Sequence, residues 1–317
     1  MYHILLLDSL HPSFAEQLPA DSFQITDASQ WDSEKILQEI NRFDILALRS
    51  RMIIDKKLIE HATNLKCIAR AGAGMENIDT AYAKSKNIVC LNSPEGNRTA
   101  VAEHAIAMLL CLLNNIIKAN TEVKQGIWQR KPNWGIELNS LTVALIGFGN
   151  TGSAMAKTLS GFGCCILAYD PYITIDQSLF PYVQQTDMQT IYHEADVVSL
   201  HIPLNADTHY LVNHDYIRSF RNKLFLINTS RGKNVNTQHL AQAIIANELA
   251  GACLDVLEYE PATFEQLDAD LPAAFKILQE AENVILSPHI AGWTHQSNKK
   301  IAYYLGKKIF DLFKLNP

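Results

Sequence analysis

The sequence predicts an α/β protein built from two parallel sheets with helices on their faces. Short apolar runs of β-type alternate with helical patterns along almost the whole chain, which is typical of parallel strands joined by crossover helices. The runs fall into two sets, and a glycine-rich turn lies within the first strand connection of the second set. A length of 317 residues, 48% of them hydrophobic, suits two domains, each with its own core.

The predicted strands are short and apolar, as strands covered by helices on both faces are. The first set comprises residues 3–8, 23–26, 43–48, 65–70 and 88–91, with helical patterns at 33–41 and 56–63. The second set comprises residues 141–147, 165–170, 196–201, 223–228, 251–256 and 283–287.

Two further helices are predicted from apolar spacing. The pattern over residues 98–118 is apolar on nearly every side, which favours a helix buried between domains or subunits. The pattern over residues 296–313 carries Ile301, Leu305 and Ile309 on one stripe and follows the last strand of the second set. We expect this last helix to return to the first domain, so that the second domain is an insertion. The predicted boundaries are 1–97 and 290–317 for the first domain and 98–289 for the second.

Composition narrows the function classes. A net charge of −6 provides no basic surface, which disfavours nucleic acid and anionic membranes as partners. The six cysteines are scattered without zinc-ligand spacing, so we expect buried free thiols and no metal site. The N-terminal stretch lacks a basic leader pattern, and the longest apolar stretch, residues 105–113, is too short to span a bilayer. We therefore expect a cytoplasmic protein with a small-molecule partner.

The strongest local motif is GFGNTG, residues 147–152, between the strand TVALI and a helical pattern. In a dinucleotide-binding unit Gly147 would make the tight turn, Gly149 would let the backbone approach a pyrophosphate, and Gly152 would let the helix pack on the strand. The helix N-terminus would then face the phosphates. The alternative is a glycine turn in an unrelated βαβ unit, but the strand–turn–helix context favours a Rossmann dinucleotide site.

An acidic residue at the end of the next strand indicates which dinucleotide. Asp170 lies eighteen positions after Gly152, where it would accept hydrogen bonds from the adenosine ribose. No Arg or Lys follows it in DPYIT to receive a 2′-phosphate. The motif therefore favours NAD over NADP.

Three candidate catalytic residues follow three strands of the second set. Arg231, Glu260 and His289 come after the strands at 223–228, 251–256 and 283–287, so they fall on the same edge of the sheet as the glycines. They would supply a cation for a carboxylate or carbonyl oxygen, an acid that holds an imidazole, and a proton carrier. Singly, each could be a surface ion pair, a loop acid or a structural histidine, but together at one edge they favour catalysis.

Several motifs in this order resemble the D-isomer-specific 2-hydroxyacid dehydrogenase family over nearly the whole chain. Besides the glycine motif with Asp170, they are HIPL (201–204), NTSRG (228–232), GACLDVLEYEP (251–261), SPHIAG (287–292), RAGAGMENID (70–79) and NSPEGNRTAVAEH (92–104). The resemblance implies a Rossmann NAD-binding domain inserted into a flavodoxin-like substrate-binding domain. It also implies a homodimer paired through the inserted domain.

The resemblance also implies roles for individual residues. His289 would be the acid/base, Glu260 its hydrogen-bonded partner and Arg231 the substrate-orienting cation. The implied cofactor-binding residues are Gly147, Gly149, Asn150, Thr151, Gly152, Asp170, His201, Ile202, Pro203, Thr229, Ser230, Asp255 and Gly292. The predicted substrate-binding residues are Arg49, Ser50, Arg51, Ala71, Gly72, Ala73, Gly74 and Asn97.

An arginine cluster bears on the choice of substrate. Arg49 and Arg51 flank Ser50, and Arg70 and Arg98 lie in the two other substrate-side motifs, a grouping that suits a phosphate. The RSR segment resembles the phosphoglycerate dehydrogenase branch, which favours 3-phosphoglycerate and phosphohydroxypyruvate over other acids.

Four alternatives to this substrate and function stay open. The arginines could be solvated surface residues, and the enzyme could then be a glyoxylate or hydroxypyruvate reductase. HIAG followed by an aromatic residue, Trp293, also resembles erythronate-4-phosphate dehydrogenase. The alternative of another class is an NAD(H)-sensing binding protein similar to the C-terminal-binding corepressors.

Overall fold

The computed structural model describes residues 1–260 and 271–314, and the chain divides into two compact units. The first unit contains Met1–Arg98 and the chain from Trp293 onward. The second contains Thr99–Glu260 and the segment that ends at Gly292. All strand pairs within the described residues are parallel, and helices connect them, so the predicted α/β class is confirmed.

The strands and helices are numbered in chain order. The strands are β1 (Tyr2–Leu6), β2 (Phe23–Asp27), β3 (Ile45–Leu48), β4 (Cys67–Arg70), β5 (Val89–Asn92), β6 (Thr142–Ile146), β7 (Cys165–Tyr169), β8 (Gln184–Gln185), β9 (Val197–Leu200), β10 (Phe225–Asn228), β11 (Gly251–Leu254) and β12 (Val284–Leu286). The helices are α1 (Ser33–Glu39), α2 (Lys56–His61), α3 (Thr80–Ser85), α4 (Arg98–Leu113), α5 (Ile116–Lys124), α6 (Asn150–Leu159), α7 (Met188–Glu194), α8 (His214–Arg218), α9 (Thr237–Ile245), α10 (Ala273–Glu280) and α11 (His295–Lys314).

The first unit has a five-stranded sheet in the order β2-β1-β3-β4-β5. This is the flavodoxin-like order 2-1-3-4-5, in which ligands bind beyond the carboxyl ends of the strands. The last helix, α11, completes this unit, because its stripe Ile301, Leu305 and Ile309 is buried in one cluster with Ile4 and Phe14. The return of the last helix to the first domain is thus confirmed, and it begins one residue before the predicted start.

The second unit has a seven-stranded sheet in the order β12-β11-β10-β9-β6-β7-β8. Counted from β6, this is the Rossmann order 3-2-1-4-5-6 with one further strand at the end. The direction of the strand order reverses between β6 and β9, so the crevice for a ligand lies at the carboxyl ends of these two strands. The two-residue edge strand β8 has no apolar run and was not predicted.

The predicted helix over 98–118 is wrong in extent, because two helices occupy this region. Asn115 adopts a left-handed conformation with φ 52° and separates α4 from α5. Helix α4 belongs to the core of the second unit, where Ala105 and Leu109 pack with Val143 and Leu145 of β6. Helix α4 is therefore buried on the sheet of the unit to which it belongs.

The apolar character of these helices also bears on membrane insertion. Among the described residues, no single helix combines the length and hydropathy needed to cross a bilayer. The pair α4 and α5, bent by 61°, meets the criteria of length and composition only when the two helices are taken together.

The six cysteines all lie in the described part of the chain and are free thiols. Cys67 and Cys253 are buried, and burial raises the pKa of both thiols, which keeps them protonated and unreactive. The expectation of buried thiols is wrong for Cys165, which is exposed at the start of β7.

Candidate active site

The glycine-rich turn between β6 and α6 has the geometry of a phosphate-binding loop. Gly147 has φ +92°, and a Cβ at this position would lie 2.5 Å from the carbonyl oxygen of His201. A Cβ at Gly152 would overlap the carbonyl oxygen of Gly147, whereas a Cβ at Gly149 would meet nothing within 4 Å. Two glycines therefore allow close packing inside the unit, and the third faces open space in front of the turn.

Helix α6 leaves hydrogen-bond donors at this turn. Its N-cap, Gly149, makes no side-chain capping bond, and the first amides of a helix have no acceptor within the helix. Asn150 and Thr151 occupy the first two positions of α6. The N–H groups of this first turn, with the positive end of the helix dipole, are suited to an anion such as a pyrophosphate.

Asp170 lies directly beside the turn. One carboxylate oxygen, Oδ2, accepts from the amide of Phe148 at 2.7 Å. The other, Oδ1, accepts from the amides of Tyr172 and Ile173 at 2.9 and 3.1 Å. The carboxylate is thus fixed at the end of β7, with lone pairs remaining for hydroxyl donors.

The segment after β9 begins with a histidine, His201, whose side chain lies in the interior of the unit. His201 is buried, and its Nε2 lies 3.0 Å from Ser199 Oγ, while its Nδ1 has no partner among the described residues. Burial lowers the pKa of His201 to about 4, so the imidazole is neutral at pH 7. A cofactor contact through this side chain is not supported, because the imidazole lies in the interior.

The other predicted cofactor residues after β9 and β10 differ in the contacts that they could make with a ligand. Ile202 lies next to Gly147, and the carbonyl oxygen of Pro203 accepts from Thr208 Oγ1 at 2.7 Å. Ser230 Oγ is within 2.8 Å of Asn228 Oδ1 and 3.0 Å of Asn234 Oδ1, so its hydroxyl proton is already committed.

Thr229 has a buried Oγ1 without a partner among the described residues. Buried hydroxyl groups rarely stay without a partner, and a bound ligand is one way to satisfy them. This hydroxyl, the amides of α6 and the open space at Gly149 fit a dinucleotide such as NAD.

Glu260 and His289 are brought into contact at the carboxyl ends of β11 and β12. Glu260 Oε2 lies 2.6 Å from His289 Nδ1, and Glu260 Oε1 accepts from the amide of Leu257. The side chain of Glu260 is 13% exposed and that of His289 is 27% exposed, so the pair is largely buried but accessible to a small molecule. Because Nδ1 donates to the carboxylate, the neutral imidazole carries its lone pair on Nε2, where it can accept a proton.

Arg231 lies at the carboxyl end of the neighbouring strand β10. Its Nη1 donates to the carbonyl oxygen of Ser230 at 2.6 Å, and its amide donates to Asn234 Oδ1 at 3.1 Å. Gly232 packs directly on the backbone of Leu257 and Glu258, so that any side chain there would clash. The Arg231 segment is thereby seated against the segment that carries Glu260.

Asp255 organises the turn that carries His289. It is 1% exposed, and its carboxylate accepts from Ser287 Oγ at 2.6 Å and from the amides of Ile290 and Ala291, both at 2.9 Å. The resemblance implies a cofactor-binding role for Asp255, but these donors within the turn already engage its carboxylate. Gly292, the last predicted cofactor residue, directly follows this turn.

The loop Ala71–Gly74, predicted to hold a carboxylate, follows β4 in the first unit. The carbonyl oxygens of Gly72 and Ala73 accept from Ser93 N at 2.9 Å and Asn92 Nδ2 at 2.6 Å. The amides of residues 72–74 have no acceptor within the described residues. Amides without an acceptor in the protein are available to donate to an anion.

The arginines of the RSR segment have different surroundings. The guanidinium of Arg51 donates to the carbonyl oxygens of Leu7 at 3.0 Å, Ala28 at 2.9 Å and Trp31. These bonds engage Nη1 twice and Nη2 once, so a phosphate-binding role of Arg51 is not supported.

Arg49 differs, because its guanidinium lies over the indole of Trp293, 4.2 Å from the ring centroid. Burial lowers the pKa of Arg49, and the nearby Asp8 carboxylate opposes this effect. Ser50 is half-buried between the two arginines, and Asn97 has a buried Oδ1 without a partner among the described residues. No pattern in the sequence distinguishes the surroundings of Arg49 from those of Arg51.

Within residues 1–260 and 271–314, no three His, Cys, Asp or Glu side chains are grouped so that they could hold a metal ion.

Comparisons with known proteins agree with this geometry. A family model described as D-isomer specific 2-hydroxyacid dehydrogenase, NAD binding domain, matches residues 106–291. A hydroxypyruvate reductase of Thermotoga maritima is 34% identical over 279 residues, which cover 88% of this chain and 88% of that protein. A crystal structure of D-lactate dehydrogenase from Aquifex aeolicus, complexed with NAD and lactic acid, has a TM-score of 0.82 at 28% identity and covers 99% of this chain and 96% of that chain.

A longer relative shows a similar level of identity. A D-3-phosphoglycerate dehydrogenase of Archaeoglobus fulgidus is 30% identical over 314 residues, 99% of this chain. The chain spans 58% of the length of that protein.

The buried His201 predicts a specific dependence of stability on pH. Its folded pKa of about 4 lies below the ordinary 6.5, so the unfolded chain gains a proton first as the pH falls through 6.5. The wild type therefore loses stability at this residue between pH 6.5 and 4, by up to about 3 kcal/mol. The variant His201→Gln should lack this loss, so its stability relative to wild type should rise as the pH falls.

Urea unfolding of both proteins at a series of pH values measures this difference. The variant His61→Gln, at an exposed histidine of α2, is the control. A wild-type-to-variant difference that stays constant from pH 7.5 to 4.5 would contradict the buried, neutral imidazole.

Proposed function

Because the chain belongs to the D-isomer-specific 2-hydroxyacid dehydrogenase family, we propose that it is an NAD-dependent oxidoreductase that interconverts a small 2-hydroxy acid and its 2-oxo acid. The observation that carries the proposal is the contact between His289 and Glu260 on the sheet edge that also holds the glycine-rich turn. Bound at that turn, NAD would supply the acceptor for the C2 hydride. Asn150, Thr151, Asp170 and Thr229 are the residues that would hold it.

The side chains divide the proton chemistry among them. In the oxidative direction His289 Nε2 takes the proton from the C2 hydroxyl, and in the reverse direction it returns that proton to the nascent alkoxide. Glu260 keeps the ring oriented through Nδ1 and stabilises the imidazolium that forms. Arg231 provides a fixed positive charge for the oxygen on C2 or the substrate carboxylate.

Changing His289 to Asn should lower kcat by about 10²- to 10⁴-fold, because a general base contributes on this scale. The Kd for NADH should change little, since the dinucleotide groups lie on other segments. Stopped-flow rates of NADH oxidation with a panel of 2-oxo acids and NADH fluorescence titration measure the two quantities.

Glu260→Gln should have a smaller effect in the same direction, because the amide still bonds Nδ1 but carries no charge. His239→Asn, at a histidine of α9, is a matched control. Near-normal turnover of the His289 variant would exclude it as the acid/base.

We propose that the substrate carries its C1 carboxylate on the amides of residues 72–74 and a second anionic group near Arg49. A phosphorylated three-carbon acid, 3-phosphoglycerate or phosphohydroxypyruvate, is the candidate that Arg49 supports, and Arg70 is the last residue of the adjacent strand β4. The second candidate is unphosphorylated hydroxypyruvate. The engagement of Arg51 by three carbonyl oxygens favours this second acid, because it leaves fewer cations for a phosphate.

The variant Arg49→Gln separates the two candidates. If Arg49 binds the phosphate, kcat/KM for phosphohydroxypyruvate should fall about ten- to a hundredfold, the scale of one lost charge-assisted hydrogen bond, and kcat/KM for hydroxypyruvate should change little. Arg42→Gln, at an exposed arginine outside the RSR segment, is the control. Equal losses for both acids, or a wild-type preference for hydroxypyruvate, would reject the phosphate.

We propose further that two copies of the chain pair through the second unit. Support comes from apolar side chains that are exposed on α5 and in the segment between α5 and β6: Ile116, Ile117, Val123, Ile127, Trp128, Trp134 and Ile136. Trp128 and Trp134 are 79% and 76% exposed, and a group of exposed large apolar side chains commonly marks a protein interface.

The variant Trp128→Asp should shift the protein from dimer to monomer, because a charge in the patch would be desolvated on pairing. Light scattering coupled to size exclusion measures the mass. Tyr172→Asp, at another strongly exposed aromatic side chain of the same unit, is the control. A wild type that elutes as a monomer would reject the proposal directly.

A further inference from the structure

A second histidine contacts the turn that carries His289. His104 lies on α4, and its Nε2 is 2.9 Å from Ser287 Oγ. Ser287 Oγ is in turn 2.6 Å from Asp255 Oδ1, and His104 Nε2 is 3.6 Å from the same carboxylate oxygen. The side chain of His104 is 25% exposed, whereas Asp255 is 1% exposed, so the contacts run inward from the edge of the unit.

The chemistry of the three groups fixes the direction of the hydrogen bonds. An ionised carboxylate only accepts, so Ser287 must give its single hydroxyl proton to Asp255. Ser287 Oγ can then only accept from His104, which therefore carries a proton on Nε2. The alternative acceptor for the hydroxyl, Met108 Sδ at 3.6 Å, is a weak one. The result is an ordered chain from His104 through Ser287 to Asp255.

This chain ends on the groups that set the backbone at His289. Besides Ser287, the Asp255 carboxylate accepts the amides of Ile290 and Ala291, and the amide of His289 donates to the carbonyl oxygen of Asp255 at 2.7 Å. His289 itself has φ +56°, a left-handed conformation that disfavours residues with a Cβ. Bonds on both sides of His289 thus hold it in a conformation that it would not adopt alone.

We propose that His104 is a positioning residue for the acid/base His289. Its Nε2–H holds the Ser287 hydroxyl in the orientation that donates to Asp255. Without that donor, the Ser287 hydroxyl loses a group that orients it, and the bond that it gives to the almost fully buried Asp255 carboxylate is held less firmly. The turn then relaxes, and the His289 ring moves relative to Glu260 and the reacting hydroxyl. The inference rests on the proposed function, because His289 needs positioning only if it transfers the proton.

Two substitutions of His104 test the donor separately from the side-chain volume. In His104→Gln the amide N–H can replace Nε2–H, whereas His104→Leu fills a similar space without a donor. For His104→Leu we expect kcat to fall about tenfold, since misplacement of a catalytic group by a fraction of an ångström has effects of this size, while KM and the Kd for NADH stay within about twofold. We expect His104→Gln to retain kcat within about threefold of wild type. His193→Leu, at an exposed histidine of α7, is the control.

A double-mutant cycle with Ser287→Ala tests whether the residues act as one chain. If they do, His104→Leu combined with Ser287→Ala should reduce kcat no further than the more damaging single change. Three results would overturn the proposal: a His104→Gln variant as slow as His104→Leu, losses confined to KM or to NADH binding, or fully additive effects in the double variant.

An NMR measurement tests the positioning role of His104 independently of the proposed dehydrogenase activity. The imidazole resonances of His289, recorded without substrate, should shift in His104→Leu and stay near the wild-type positions in His104→Gln. Unchanged His289 resonances in His104→Leu would also overturn the positioning role. If the wild type oxidised NADH with none of the 2-oxo acids, the proposed function would fail, whereas the resonances would still test the hydrogen-bonded chain.

Discussion

Parallel strand direction is the constraint on which the rest of the second unit depends. When neighbouring strands run the same way, their carboxyl ends lie on one edge, and the loops that follow them must meet there. The residues that come after β6, β7, β10, β11 and β12 are far apart in sequence but lie along one edge of the sheet for this reason. The dinucleotide turn and the His289–Glu260 pair are thus products of one sheet register.

Buried or half-buried acids then fix the loops that leave this edge. Asp170 holds the glycine-rich turn through the amide of Phe148, and Asp255 holds the His289 turn through two amides. The first unit uses the same device, since Asp8, just beyond β1, accepts from the amide of Arg49 at 2.6 Å. An acid after a strand therefore serves first as a hydrogen-bond acceptor for backbone that has left the ladder.

The sequence was informative wherever a feature depends on local pattern. Of the strands in the described residues, the apolar runs located all except the two-residue β8, and the stripe Ile301, Leu305 and Ile309 located the returning helix. The break between α4 and α5 was not visible, because Asn tolerates both helical and left-handed conformations. The surroundings of Arg51 and His201 depend on which carbonyl groups and side chains from distant parts of the sequence fold against them. Their local sequence patterns therefore predicted contacts with substrate and cofactor, whereas in the structure both side chains make contacts within the protein.

The left-handed conformation of His289 has a consequence for engineering this chain. A residue without a side chain, or an asparagine, would relieve the backbone there, so selection for thermal resistance alone would tend to discard the histidine. Variants obtained by such selection would have a higher free energy of unfolding but would transfer the proton more slowly, which is the known trade-off between stability and activity. A screen for thermostable variants should therefore keep His289 unchanged and vary residues of the hydrophobic cores instead.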